Sequence, residues 1–291
     1  MQLDAARIED LVRRALAEDL GERGDLTTRV SVPEDRGGTA RILARESGVL
    51  AGVDVARACF ELLSDRVEVL RELPDGARLE PGAVVLELRG PAVALLAGER
   101  TALNLLQRMS GVATRARAFV DAVAGTGTRV LDTRKTTPGL RVLERYAVVV
   151  GGAENHRFGL FDRILLKENH FALAVEPRRQ VVARAVASGR GPVIAEARDR
   201  EEAREVVQGG ADVVLLDNFG PGPELVAAVG VARAEAARLG RRIEIEASGG
   251  ITLGNARAFA ECGVDRISVG SLTHSVPALD LSMLVEGTAM R

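Results

Sequence analysis

From about residue 110 onward, short β-branched apolar runs alternate with longer stretches whose apolar residues recur at helical spacing. The runs predict strands over 128–132, 163–167, 192–197, 212–216, 243–247 and 266–270. Between them the pattern predicts helices near 139–150, 171–189, 200–209, 222–239 and 253–262, with Gly189 and Gly240 as stops. This strand–helix rhythm is that of a TIM-like α/β barrel, with an open doubly wound sheet as the alternative. The conspicuous polar residues then fall into place: Asp132 to Lys135, Lys167, Glu196, Asp217, Ser248 to Gly250, and Gly270 with Ser271 all lie at or just past strand carboxyl ends. That rim is where barrel enzymes build their sites.

Residues 1–110 read differently. A helix over 4–19 precedes GDLTT, strand-like stretches at 38–46 and 83–89, and a helix near 52–64. Pro81-Gly82 and Asp75-Gly76 mark turns, and a further helix runs from Glu99 to about Val123. The expected fold class is α/β: a small N-terminal α+β sandwich domain (1–110) followed by the barrel (111–275). The tail 276–291 is placed to rejoin the first domain.

Composition narrows the function. A hydrophobic share of 46% supports a buried core, and a net charge of -2 offers no general attraction to nucleic acid or an anionic membrane. The opening MQLDAARIEDLVRRALAEDL is acidic and amphipathic, without an apolar signal core, and predicts a cytoplasmic protein. Cys59 and Cys262 stand alone and predict buried structural thiols. Of 39 cationic residues only Lys135 and Lys167 are lysine. Coding bias or heat adaptation that replaces dispensable lysines with Arg accounts for the scarcity, and on that reading the two survivors mark places where Arg does not serve.

ASGGI (247–251) and SVGSLTHS (268–275) follow the last two strands and read as a phosphate cradle, because glycines let backbone N–H groups approach an anion. DTRKTTPG (132–139) and NHR (155–157) bring Arg134, Lys135, His156 and Arg157 towards Lys167. Such a cluster repels itself by about 4 kcal/mol per close pair, at an effective dielectric near 20, unless anions bind. Glu196 and Asp217 supply the opposite sign, as an acid/base pair, as magnesium ligands through water, or as hydroxyl acceptors. A cap for the next helix is the competing role for Asp217. His170, Tyr146 and Asn104 are expected to be structural.

ERTALNLLQRMSGVAT (99–114), LDTRKTTPGLR (131–141), GGAENHRFGLFDRILLKENH (151–170), VLLDNF (214–219), EASGGI (246–251) and ISVGSLTHS (267–275) together resemble the quinolinate phosphoribosyltransferase family. The likeness runs from EDLGERGDLTT (18–28) nearly to the end. The resemblance implies quinolinate and phosphoribosyl pyrophosphate as substrates and Mg2+ as cofactor. It implies nicotinate mononucleotide, pyrophosphate and carbon dioxide as products. It also implies a homodimer, or a hexamer built from dimers, in which Arg100 of one subunit reaches its neighbour's quinolinate. Arg134, His156 and Arg157 would grip the quinolinate carboxylates, with Lys135 and Lys167 between the substrates. Glu196 and Asp217 would hold ribose hydroxyls and water-bridged metal. Ser248, Gly249, Gly250 and Gly270 would bind the 5-phosphate, with His274 beside it. GGAEN replaces the family's more usual GGGxN, which sets Ala153 and acidic Glu154 near the anion pocket. The competing readings are the related molybdenum-utilisation pyrophosphorylase, against which Lys167 in LLKENH argues, and a noncatalytic barrel that binds a phosphorylated ligand.

Overall fold

A computed structural model describes residues 3–289. By contact the chain forms two compact units. The first takes the chain up to Arg117, Thr137–Gly152, and the residues from Ser275 onward; the second takes Ala118–Thr136 and Ala153–His274.

In the first unit, α1 (Ala5–Leu20) starts where the Asp4 side chain accepts the Ala6 N–H, and buries Ile8, Leu11, Val12 and Leu16 on one stripe. α2 (Leu26–Ser31), which the periodicity did not reveal, is capped by Asp25 through Thr28. β1 (Arg36–Ala44) and the short β2 (Gly48–Val49) precede α3 (Val53–Glu61), then β3 (Glu68–Glu72), β4 (Arg78–Leu79) and β5 (Val84–Pro91). Pro91 ends β5 and α4 (Ala92–Ala122) follows at once, seven residues earlier than Glu99. α5 (Arg141–Val150), expected among the barrel helices, packs by contact with this unit. The tail forms β12 (Leu281–Ala289), antiparallel to β1 from Arg36↔Ala289 to Ala44↔Leu281. The antiparallel sheet runs β12-β1-β5-β3, while β2 pairs only with β4.

The second unit carries β6 (Arg129–Leu131), β7 (Ile164–Leu166), α6 (Glu168–Leu173), α7 (Arg178–Ala187), β8 (Val193–Ala197) and α8 (Arg200–Gly209). It continues with β9 (Val213–Asp217), α9 (Pro223–Arg238), β10 (Glu244–Ser248), α10 (Ala256–Glu261) and β11 (Arg266–Ser268). The single helix expected over 171–189 is two helices, because Pro177, which has no N–H to donate, caps α7 and separates it from α6. All ladders are parallel and the strand order is β6-β11-β10-β9-β8-β7. A doubly wound sheet reverses its strand order midway; here the order is cyclic, as in a barrel whose seam lies between first and second strands. At that seam Leu131 bridges Glu154 in parallel. One inner wall is apolar, with Ile194, Val213 and Leu215 buried beside Leu165. Among the described residues no helix is long and apolar enough to cross a membrane.

Candidate active site

The second unit gathers the predicted rim. Lys167, just past β7, holds its Nζ 3.8 Å from Glu196 Oε2 on neighbouring β8. Glu196 is buried, and its Oε1 accepts the Glu168 N–H at 3.2 Å. Burial, then the charge of Asp217, raises the Glu196 carboxyl above its ordinary range, against the pull of Lys167. Asp217 ends β9, in register with Ser248 on β10. Burial raises its carboxyl too, while Lys167, the Ser248 hydroxyl and Lys135 lower it. The two lysines and two carboxylates therefore share one electrostatic site. Asp217 is not the cap of the following helix, since Gly222 occupies that position in α9.

Both glycine turns are built tightly. Gly249 has φ 91°, and a Cβ there would lie 2.5 Å from Asn218 Oδ1 and 3.0 Å from the Asn218 nitrogen. Gly250 has φ 65° with open space beside it. Asn218 itself adopts φ 61° and donates its N–H to Ser248 O at 2.9 Å, locking the β9 and β10 exits together. A Cβ on Gly270 would meet His274 Nε2 at 2.9 Å and Lys135 Cδ at 3.0 Å. The glycine thus lets the Lys135 stem and the His274 ring close over the chain. Thr273 Oγ1 donates to Lys135 O at 2.8 Å.

Arg157 and Arg134 form the other side. Burial, then the charge of Arg134, lowers the Arg157 guanidinium against the opposing charge of Asp162, so the two cations feel each other. His156 is buried beside Arg157, with its backbone N–H donated to Asp132 Oδ1 at 2.7 Å and its ring Nδ1 accepting the Arg157 backbone N–H at 2.7 Å. Glu154, the acidic departure from the family pattern, pairs with Arg129 at 3.0 Å. Its charge is thereby partly neutralised by its own neighbour.

The first unit holds Arg100, Asn104, Tyr146 and Cys59. Arg100 is exposed on α4, as is Asn104. Tyr146 donates to Asp75 Oδ2 at 2.8 Å, and burial followed by Asp75 raises its phenol, a structural role. His170 belongs to the second unit, where its Nδ1 accepts the Lys167 N–H at 2.9 Å at the start of α6. Cys59 is buried, whereas Cys262 is only partly so and half-corrects the expectation of two buried thiols.

Sequence reasoning passed over Thr273, Asn218, Glu246 and Arg266, and did not assign Ser271. Ser271 Oγ is buried in the Gly270 turn and has no hydrogen-bond partner among the described residues. The one available signal was the alternation Glu244, Glu246, Ser248 in a strand that should be apolar on both faces.

Comparison with known proteins agrees with the motifs. Family profiles described as the C-terminal and N-terminal domains of quinolinate phosphoribosyl transferase match residues 112–284 and 25–110. A probable nicotinate-nucleotide pyrophosphorylase [carboxylating] of Bacillus subtilis is 42% identical over 283 residues, covering 95% of this chain and 93% of that protein. The human nicotinate-nucleotide pyrophosphorylase [carboxylating] is 43% identical over 247 residues, covering 84% and 81%. The solved nicotinate-nucleotide pyrophosphorylase of Francisella tularensis superposes with TM-score 0.90 at 35% identity over 98% of each chain.

Proposed function

The chain belongs to the quinolinate phosphoribosyltransferase family, and from that premise we propose how its residues divide the chemistry. It is an enzyme that transfers phosphoribosyl from phosphoribosyl pyrophosphate to quinolinate, releasing pyrophosphate and carbon dioxide and leaving nicotinate mononucleotide for NAD biosynthesis. The molybdenum-utilisation and noncatalytic readings give way to this one.

The observation that carries the division of roles is the convergence of both lysines on Glu196 and Asp217 at one rim. Arg134 and Arg157, mutually unfavourable when empty, hold the two carboxylates of quinolinate in forked pairs. Ser248, Gly249, Gly250 and Gly270 cradle the 5-phosphate, with His274 beside it. Glu196 and Asp217 accept the ribose hydroxyls and face the cationic character that develops at C1 as the C1–O bond breaks and its electron pair leaves with pyrophosphate. The quinolinate nitrogen then gives its lone pair to C1. Loss of carbon dioxide leaves an electron pair at C2 beside the cationic nitrogen, and Lys135 delivers the proton that quenches it.

Glu196 and Asp217 also fit Mg2+. Burial and the mutual repulsion of their charges raise the Glu196 carboxyl, as expected of a pair that a cation would relieve. Among the described residues no three His, Cys, Asp or Glu converge, and Mg2+ commonly takes one or two carboxylates together with waters and substrate phosphates. Held there through water by Glu196 and Asp217, the ion would supply positive charge to offset that of the departing pyrophosphate. A homodimer, alone or within a hexamer, in which Arg100 of the partner completes the quinolinate pocket, in the cytoplasm, fits this reading.

The test is turnover of purified protein with phosphoribosyl pyrophosphate, Mg2+ and either quinolinate or nicotinate. Quinolinate is preferred by at least ~100-fold in kcat/KM, because nicotinate leaves half of the cationic cluster unpaired. Equal specificity for the two acids contradicts the assignment.

A further inference from the structure

The inner wall opposite the apolar cluster is charged. Arg129 pairs with Glu154 and Glu244; Arg266 pairs with Glu244 at 2.9 Å and, through Nε, with Glu246 Oε2 at 2.8 Å. The ladder starts at partly exposed Arg129 and Glu244 and ends inside the barrel, where Glu246 is 0% and Arg266 3% exposed. It holds two guanidinium groups against three carboxylates, Glu154, Glu244 and Glu246, so one negative charge has no arginine to match it. At the buried end Glu246 also faces His156: its Oε1 lies 3.3 Å from His156 Nε2, close enough for an ion-pair contact but not aligned as a hydrogen bond, and forms no well-aligned hydrogen bond with any described residue. The opposite nitrogen of the same ring, Nδ1, accepts the Arg157 N–H.

We propose that Glu246 is a positioning residue which, held by Arg266, keeps the His156 proton on Nε2 and so leaves Nδ1 free to fix the backbone of Arg157. The ladder thus acts through two residues on the guanidinium to which the quinolinate reading, on which this inference rests, gives a substrate carboxylate. Both printed contacts of the ring suit this arrangement of protons. A proton on Nδ1 would point at the Arg157 N–H, and a bare Nε2 would set a lone pair against a buried carboxylate. Burial raises the Glu246 carboxyl, but His156, the charge of Arg266 and the Ser268 hydroxyl together lower it below its ordinary range, in keeping with that role.

Glu246→Gln separates positioning from bulk. Glutamine has the shape of glutamate but a single acceptor oxygen, which Arg266 Nε claims. Its NH2 then faces Nε2, and the ring must shift its proton to Nδ1 or turn, releasing the Arg157 N–H in either case. With three histidines in the chain, nitrogen NMR of 15N-His protein reads the His156 tautomer directly. The wild-type protein is expected to carry the His156 proton on Nε2 alone, and Glu246→Gln to lose that signature. In kinetics the variant raises KM for quinolinate by ~10-fold, the low end of the effect of removing a partner behind a ligating histidine, while KM for phosphoribosyl pyrophosphate stays within twofold.

A wild-type His156 protonated on Nδ1 overturns the proposal. So does a Glu246→Gln protein with unchanged tautomer and unchanged KM for quinolinate. If the glutamine variant fails to fold, Glu246→Asp, which keeps the charge but withdraws it by one methylene, is read in the same two ways. Failure of wild-type protein to use quinolinate would reject the functional reading, whereas the tautomer measurement needs no substrate.

Discussion

The hydroxyl of Thr273 donates to the carbonyl of Lys135, tying one of only two lysines in the chain to the turn that follows β11. Thr273 is fully buried, so removing its oxygen leaves the Lys135 carbonyl short of a donor with little solvent to replace it. Thr273→Val, similar in shape, should cost about 1–2 kcal/mol of stability and a larger share of kcat than of KM for quinolinate. Thr273→Ser should restore most of the activity. Melting curves with steady-state kinetics on both variants check this.

The two glycine turns should respond differently to a methyl group. At Gly270 the obstacles to a Cβ are the flexible ends of Lys135 and His274, which can move. Gly270→Ala should therefore fold with nearly unchanged melting temperature and lose activity. At Gly249 the obstacles include the Asn218 backbone, and φ is 91°, so Gly249→Ala should lose stability as well, by roughly 1–3 kcal/mol. Equal thermal stability of the two variants would count against this account of the cradle.

Scarcity of lysine makes its own prediction. Lys167 Nζ is 3.8 Å from Glu196, and Lys135 acts on Asp217; each is a compact charge set against a particular carboxylate. Lys135→Arg and Lys167→Arg should lose most turnover, much as the alanine variants do, with melting temperatures close to wild type. Near-normal activity in either arginine variant would remove the argument from composition.

The thiols differ sharply. Burial pushes the Cys59 thiol up to about 12, so below that pH it stays protonated and a poor nucleophile. Partly exposed Cys262 is accessible. A disulfide reagent at pH 8 should titrate one thiol per folded chain quickly and the second only after denaturant is added. Two fast equivalents in the folded protein would contradict the burial of Cys59.

The parallel strands were legible because short β-branched runs between helical stretches leave little choice; Val193–Ala197 and Val213–Asp217 lie within a residue of their expected bounds. The rim was legible for the same reason, since a residue at a strand's carboxyl end is placed by the barrel itself. Three features were not. The apolar spacing continues across Pro177, so one helix was read where there are two. β3 is largely exposed and polar, an edge strand without a core-facing pattern to betray it. The Glu246–Arg266 pair depends on the β10–β11 register, which sets residues twenty apart side by side, and no local spacing encodes that.

The central claim is that one site couples phosphoribosyl transfer to loss of the carboxylate next to the ring nitrogen. Quinolinate labelled with 14C in that carboxyl group, supplied with phosphoribosyl pyrophosphate and Mg2+, measures both events in one vessel. The account predicts labelled carbon dioxide and pyrophosphate released one for one, with unlabelled nicotinate mononucleotide as the other product, and both releases lost in Lys135→Ala. Pyrophosphate released without labelled carbon dioxide, or neither released by well-folded wild-type protein, would contradict it.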